Sequence, residues 1–222
     1  MNLMEILKQL DTNLFLLING LHSAFFDLFM FTVSGTLTWV PLYAAVLYVI
    51  VRHWKREAIW LILALILCVV ISDQVASGLL KHMIKRLRPS HVESLKDLIH
   101  LVKGYSGGMY GFASSHAANA FGFALLSSLF FRQKFYSYCI FTWAFITAYS
   151  RIYLGVHYPL DILGGIFVGF VAALICYLLI SKFRPSLIQH EAENAIEQST
   201  IIVPLSVLGL SFFAIVVYSF VG

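Results

Sequence analysis

Six apolar runs divide the chain, at residues 36–52, 57–80, 116–131, 136–150, 160–181 and 201–221. A helix needs about 20 apolar residues to cross a bilayer core, within a range of about 17–25. Runs 57–80, 160–181 and 201–221 meet that length comfortably. The runs at 36–52, 116–131 and 136–150 are shorter, so their helices are expected to draw in flanking residues. Region 11–34 is also apolar, but Asn19, Gly20, His22, Ser23 and Asp27 interrupt it. Interruptions that frequent suit a pair of amphipathic helices at the interface better than a seventh span. The opening MNLMEILKQLD is amphipathic and lacks the long apolar stretch and small-residue cleavage site of a signal peptide. The pattern predicts an all-α fold, a polytopic membrane helical bundle of about six transmembrane helices behind an N-terminal interfacial segment.

Composition agrees. The 222 residues are 60% apolar and 12% charged, with a mean hydropathy of +0.85, against about 25% charged in a soluble domain. The net charge is +4, and the basic residues gather at the ends of apolar runs, as in membrane proteins. No basic stripe on a soluble face is present, so a nucleic-acid partner is excluded. Cys68, Cys139 and Cys176 lie inside apolar runs, without metal-binding spacing, and read as packing residues.

The connections differ in character. Arg52, Lys55 and Arg56, then Arg132 and Lys134, then Lys182 and Arg184 mark brief basic joints, the last opening a polar tail. The one long connection, about 81–115, contains GYSGGMYG at 104–111, a run suited to irregular backbone, and loops of that length are usually functional. Consecutive spans alternate direction. The end of the second span, the start of the third, the end of the fourth and the start of the fifth therefore share one membrane face, and the basic joints share the other.

Three polar clusters fall on the shared face. In KHMIKRLRP (81–89), Lys81 and Arg88 lie seven residues apart, about two helical turns, so a continuing helix puts them on nearly one side before Pro89 ends it. In ASSHAANAFGFA (113–124), Ser114 and Ser115 suit the N-cap of a helix whose free N–H groups and dipole favour an anion. His116 sits in its first turn. In SRIYLGVHYPLD (150–161), Pro159 starts a helix, and Asp161 can reach back to hold one imidazole nitrogen of His157. Arg151 ends the preceding helix. Taken singly, the clusters read as a headgroup flank, a capped helix and an interfacial salt bridge. Together they bring three cations and two histidines to one place, which suits a phosphate cradle with a nucleophile and an acid.

Lys81-(six residues)-Arg88-Pro89, Ser114-x-His116 and Ser150-Arg151-(five residues)-His157-(three residues)-Asp161 resemble the three signature motifs of the phosphatidic acid phosphatase type 2 superfamily. The resemblance implies that His157 attacks phosphorus to form a phosphohistidine and that Asp161 orients it. It implies that His116 protonates the leaving oxygen and then activates water. It also implies that Lys81, Arg88 and Arg151 hold the phosphate oxygens, with the Ser114–Ser115 backbone helping. No cofactor or metal is implied. The family usually carries Pro-Ser-Gly-His where this chain has Ala113-Ser114-Ser115-His116. If the site requires a positive φ at Ser115, the missing glycine costs about 1 kcal/mol or more.

On this reading 1–222 is one membrane-embedded phosphatase domain. It comprises interfacial helices (1–34), a catalytic core (36–181), a polar tail loop (182–200) and an extra C-terminal transmembrane helix (201–222). The spans exclude the soluble members of the superfamily. The implied partner is a lipid phosphate among membrane lipids: undecaprenyl diphosphate, phosphatidylglycerophosphate or a lipid A phosphate, with prenyl and phosphatidyl substrates the commonest in the family. A flippase or a phosphotransferase could use the same cradle. Nothing in the sequence sets an oligomeric state. Lys and Arg divide evenly between the faces. Setting aside the three phosphate ligands leaves the site face poorer, which predicts a site on the periplasmic or extracellular side; the resemblance implies the same side and a bacterial cytoplasmic (inner) membrane. Asp73, Gly165 and Gly169 complete the candidates, the first as an intramembrane acid or equally a structural hydrogen-bond partner of Ser72 and Gln74, and the glycines as a small-xxx-small packing pair. His91, Glu93, Asp97 and His100 read as a solvated loop.

Overall fold

Helix α1 (Leu3–Asn19) begins at a capping box, in which Glu5 N–H donates to Asn2 Oδ1 and Asn2 N–H to Glu5 Oε2, both at 2.9 Å. Leu3, Leu7, Leu10, Leu14 and Leu17 recur at helical steps and are all exposed, whereas Asp11, Phe15 and Asn19 form the buried stripe. The exposed leucines form a continuous apolar face along one side of α1. In this computed structural model, which describes residues 2–193 and 196–221, α2 (Ala24–Val33) meets α1 at 115°. Region 11–34 is therefore a bent pair rather than a straight span. Helix α2 packs on the bundle through the seventh and tenth helices.

The core is built from α3 (Val40–Trp54), α4 (Ala58–Asp73), α6 (Ser115–Phe131), α7 (Lys134–Tyr153), α8 (Pro159–Phe183) and α10 (Gln198–Val221). Each of the six apolar runs falls within one of these or its immediate extension. Helix α7 takes in flanking residues at both ends, as its short run required. By length and hydropathy, Thr36–Ile84 qualifies as one apolar stretch, alongside Pro159–Phe183 and Gln198–Val221. The chain nevertheless breaks at Lys55, whose φ is +51°. Ser34, just before α3, touches Arg151, and Lys81, beyond α4, lies in the field of the same arginine. Both ends of the stretch thus reach one face, and α3 and α4 run in opposite directions.

Helices α6 and α8 form the closest pair in the bundle. A Cβ at Gly165 would sit 2.3 Å from the Ser114 carbonyl oxygen, and one at Gly169 2.3 Å from that of Ala118. The absence of a side chain at both positions is what lets the backbones touch. Ser114 N–H also donates to the Asp161 carbonyl at 2.9 Å. The start of α6 is therefore fixed against the start of α8.

Three expectations change. The helix carrying Lys81 does not continue to Arg88. Helix α4 passes through a π-helical turn (Gln74–Leu80) into the short α5 (Lys81–Ile84), and Lys85 closes it at φ +52°, its N–H donating to Lys81 O. Arg88 follows in extended backbone, paired to the glycine-rich run through Arg88 N–H to Met109 O at 3.0 Å. The tail 182–200 carries α9 (Pro185–Glu193), on which the Leu187 carbonyl accepts from Trp54 Nε1; residues 194 and 195 of that tail lie outside the described residues. His100 is not a solvated loop residue: its backbone bonds both ways with the Asn19 amide and its ring pairs with Asp27 at 2.7 Å.

Candidate active site

The site forms where α5, the loop after it, α6, α7 and α8 meet. Pro159 opens α8, and Asp161, one turn in, folds back on the residues before it. Asp161 Oδ2 accepts from Tyr158 N–H at 3.0 Å and lies 3.4 Å from His157 Nδ1. On the other side of the ring, Arg88 Nη1 stands 3.2 Å from His157 Nε2. A guanidinium can only donate, so Nε2 is the accepting nitrogen and Nδ1 carries the proton toward Asp161. The expected orientation of His157 by Asp161 is present as geometry, and the nitrogen bearing the lone pair faces the cations.

Arg88 is held by its Nε–H to Tyr110 O at 3.1 Å and Nη1–H to Val156 O at 3.3 Å. Arg151, at the end of α7, donates to Tyr105 Oη at 3.0 Å and to Ser34 Oγ. Lys81 Nζ donates to Ser77 Oγ at 3.1 Å. Arg151 is 2% and Arg88 7% exposed. Among the described residues, no carboxylate forms an ion pair with Lys81, Arg88 or Arg151, although each acts electrostatically on His116 and His157. Buried charge without a counterion is costly. Burial and the neighbouring Arg151 hold Arg88 below the ordinary arginine value. Burial, then the charges of Arg88, Arg151 and Lys81, hold His157 well below the ordinary histidine value, so its imidazole is neutral near pH 7.

Ser114 caps α6, its Oγ accepting from Ala117 N–H at 3.4 Å. Ser115 is the first residue of that helix and is not among the residues of positive φ, so serine in place of the usual glycine carries no left-handed penalty. His116 lies beside a cavity of about 520 Å³ also lined by Ser115, Asp73 and apolar side chains of α3, α4, α6 and α7. Leu47, Ile66 and Val70 line it and are exposed, so it opens toward lipid between α3 and α4. His157 and Asp161 do not line it. All eight expected site residues, Lys81, Arg88, Ser114, Ser115, His116, Arg151, His157 and Asp161, gather at this face.

Four neighbours escaped the sequence reading. Ser34 and Tyr105 hold Arg151. Arg86 and Asp11 form an ion pair that reaches Asp161. Arg86 was legible only as one more basic residue in 81–89, and Asp11 as a polar position in an amphipathic helix. The glycine-rich run carried a signal: a Cβ at Gly107 would come 2.7 Å from Arg88 Nη1, and one at Gly111 2.6 Å from Asp161 Oδ2.

The fold is a lipid-facing helical bundle whose polar face gathers Lys81, Arg88 and Arg151, with no carboxylate ion-paired to them among the described residues, around a neutral His157. The chain belongs to the PAP2 superfamily, whose family model matches residues 57–185, and it is a multi-pass membrane phosphatase of that family. It is 39% identical to the lipid A 4'-phosphatase of Bacteroides thetaiotaomicron over 83% of each chain. It is 38% identical to the lipid A 4'-phosphatase of Porphyromonas gingivalis over 78% of this chain and 74% of that one. The crystal structure of Aquifex aeolicus LpxE superposes with a TM-score of 0.59 at 27% identity, covering 76% of this chain and 95% of that chain.

Proposed function

We propose that the chain removes a phosphate from a lipid A-type substrate through a phosphohistidine at His157. The observation that carries this reading is the set of three cations without carboxylate partners among the described residues at the lone-pair nitrogen of a neutral histidine. A bound phosphate supplies the missing negative charge. Arg88 then transfers its Nη1–H from Nε2 to a phosphate oxygen, which frees the lone pair. His157 Nε2 forms the N–P bond while the P–O bond to the lipid breaks. Lys81, Arg88, Arg151 and the N–H groups at the start of α6 stabilise the charge on the oxygens, the kind of preorganised stabilisation that dominates many active sites. Asp161 accepts from Nδ1–H throughout and steadies the cationic ring.

In-line displacement puts the leaving oxygen opposite the nucleophile. His116 lines the lipid-facing cavity and His157 does not; on this reading His116 protonates the leaving lipid oxygen, and the lipid body occupies the cavity and its lateral opening. With the lipid gone, His116 takes a proton from water, whose oxygen attacks phosphorus, breaking N–P and releasing inorganic phosphate. No metal takes part in these steps. Of the three substrate classes, the similarity to two lipid A 4'-phosphatases favours lipid A. Once Arg86 is committed to its ion pairs and the phosphate ligands are set aside, the site face keeps Lys8, Lys85, Lys96 and Lys103. The opposite face keeps Arg52, Lys55, Arg56, Arg132, Lys134, Lys182 and Arg184. That imbalance supports a site outside the cytoplasm of an inner-membrane protein.

The test is phosphate release by purified protein from lipid A, phosphatidylglycerophosphate and undecaprenyl diphosphate in EDTA, with products identified by mass. Release from lipid A is expected, inhibited by vanadate and abolished by His157→Asn. Activity lost in EDTA and restored by a divalent metal, or retained in His157→Asn, would overturn the mechanism. A phosphorylated acceptor in place of free phosphate would mark a transferase.

A further inference from the structure

The ion pairs of Arg86 lie outside the three motifs yet end on Asp161. The two oxygens of Asp161 divide their work: Oδ2 serves His157 and Tyr158 N–H, and Oδ1 accepts from Arg86 Nη1 at 3.1 Å. Arg86 Nη2 donates to Asp11 Oδ2 at 2.6 Å. The second oxygen of Asp11 accepts from Leu160 N–H at 2.9 Å, one of the free N–H groups at the start of α8. The ring closes through the chain from Leu160 to Asp161. Its centre is covered on one side by Tyr158, whose ring lies 4.0 Å beneath the Arg86 guanidinium and 5.4 Å from that of Phe15 on α1. The Asp11 and Asp161 side chains are 2% and 0% exposed.

We infer that Arg86 and Asp11 are a positioning pair for Asp161, so that the N-terminal interfacial helix is part of the machinery that aims His157. This rests on the reading of His157 as nucleophile. A fully buried carboxylate without a cation in contact takes up a proton, and an acid so protonated holds Nδ1–H poorly. Lys81 and Arg88 also act on Asp161, but Arg86 is the only cation among the described residues within ion-pair distance of it. His157, Tyr158 and Asp11 complete the titratable groups facing this cluster. Asp11 in turn keeps Arg86 from swinging to the substrate phosphate, where a fourth cation would compete with the three that belong there. The role is one of orientation and charge. The pair touches neither the phosphate cations' donors nor the cavity beside His116.

The experiment compares Arg86→Met, Arg86→Lys, Asp11→Asn and the Met/Asn double variant with the wild type, using the full chain in lipid nanodiscs. Asp11→Asn keeps an oxygen for Leu160 N–H and removes only the charge. The expected result for Arg86→Met is a fall in kcat of about ten- to a hundredfold, with KM nearly unchanged, since phosphate binding survives. Arg86→Lys restores part of the loss. The acid limb of the kcat profile moves to higher pH in Arg86→Met, because Asp161 protonates more readily. The double variant is no worse than Arg86→Met, because the residues act as a unit. A second readout needs no turnover: the 15N shifts of His157 report one neutral Nδ1–H tautomer in the wild type and a mixture in Arg86→Met. Wild-type kcat and tautomer in Arg86→Met would overturn the inference. So would a loss that Lys does not rescue and that leaves the pH profile and tautomer unmoved, since that is the signature of a structural role. If the wild type turns over no lipid phosphate, the proposed function fails, and the tautomer still decides the role of the pair.

Discussion

Arg151→Met separates the two things the site cations do. Arg151 is 2% exposed, makes two side-chain hydrogen bonds, and leaves its buried Nε without a partner. No carboxylate among the described residues offsets its charge. Removing it forfeits two hydrogen bonds to a charged group, worth about 1.5–3 kcal/mol each. It also relieves the desolvation of an unpaired buried ion, several kcal/mol, and its repulsion with Lys81 and Arg88. Methionine refills the space with a flexible apolar chain. The net expectation is stability between unchanged and raised by a few kcal/mol, while activity falls by about 10²–10³-fold for the loss of one transition-state donor. Thermal unfolding in detergent reads the first quantity and phosphate release the second. Orthovanadate adds a direct check. At one hundred times its Kd a ligand stabilises by about 2.7 kcal/mol, which for a chain of this size raises Tm by about 5–10 °C. That rise should be seen in the wild type and vanish in Arg151→Met. A variant that unfolds well below the wild type and still gains stability from vanadate would show that Arg151 is a structural residue, and the cradle argument would fail with it.

Two further predictions follow from the same geometry. Because burial and the three cations hold His157 well below the ordinary histidine value, the unfolded chain takes up the proton first as pH falls below about 6.5. The contribution of His157 to stability is therefore complete above that pH and is lost below it, at up to about 1.4 kcal/mol per pH unit until the folded form protonates. In 15N spectra the resonances absent from His157→Asn should stay neutral at pH 6, and a titration midpoint near 6.5 would refute the electrostatic account. In Gly169→Ala the new Cβ meets backbone at 2.3 Å on Ala118 O and 2.8 Å on Gly122 N. Helices α6 and α8 must part, lowering stability by about 1–3 kcal/mol and kcat as well, because His116 rides on α6 and Asp161, which holds His157, on α8. An unchanged Tm would mean that the contact is not close.

How far the sequence reveals this molecule depends on which constraint each residue answers to. The spans were legible because lipid demands long uninterrupted apolar runs, and the shared face followed because consecutive spans must alternate. The motif residues were legible because phosphate chemistry needs particular groups at fixed offsets. Arg88 shows the limit. Its place on the shared face followed from the alternation of spans, but its expected alignment with Lys81 needed a continuing helix, and the chain instead ends α5 at Lys85 and pairs the next segment with the glycine-rich run. The hydropathy pattern there records a basic flank and says nothing of a left-handed residue. Ser115 shows the converse: the substitution for glycine matters only if the backbone needs positive φ, and the start of α6 has an ordinary helical one.

Asp11 and Arg86 lay beyond reach for a stronger reason. They stand 75 residues apart, in an amphipathic helix and a basic stretch that each have a sufficient local explanation. Only the three-dimensional meeting of α1 with the start of α8 makes either one part of the site. The same meeting explains why a surface helix buries an acid at all. Burying Asp11 without Arg86 and Leu160 N–H would cost more than its contacts return. The α1 seat and the Asp161 carboxylate therefore stand or fall together. His157 is buried and held at both ring nitrogens, by Asp161 on one side and Arg88 on the other, while the cavity that opens to lipid lies beside His116.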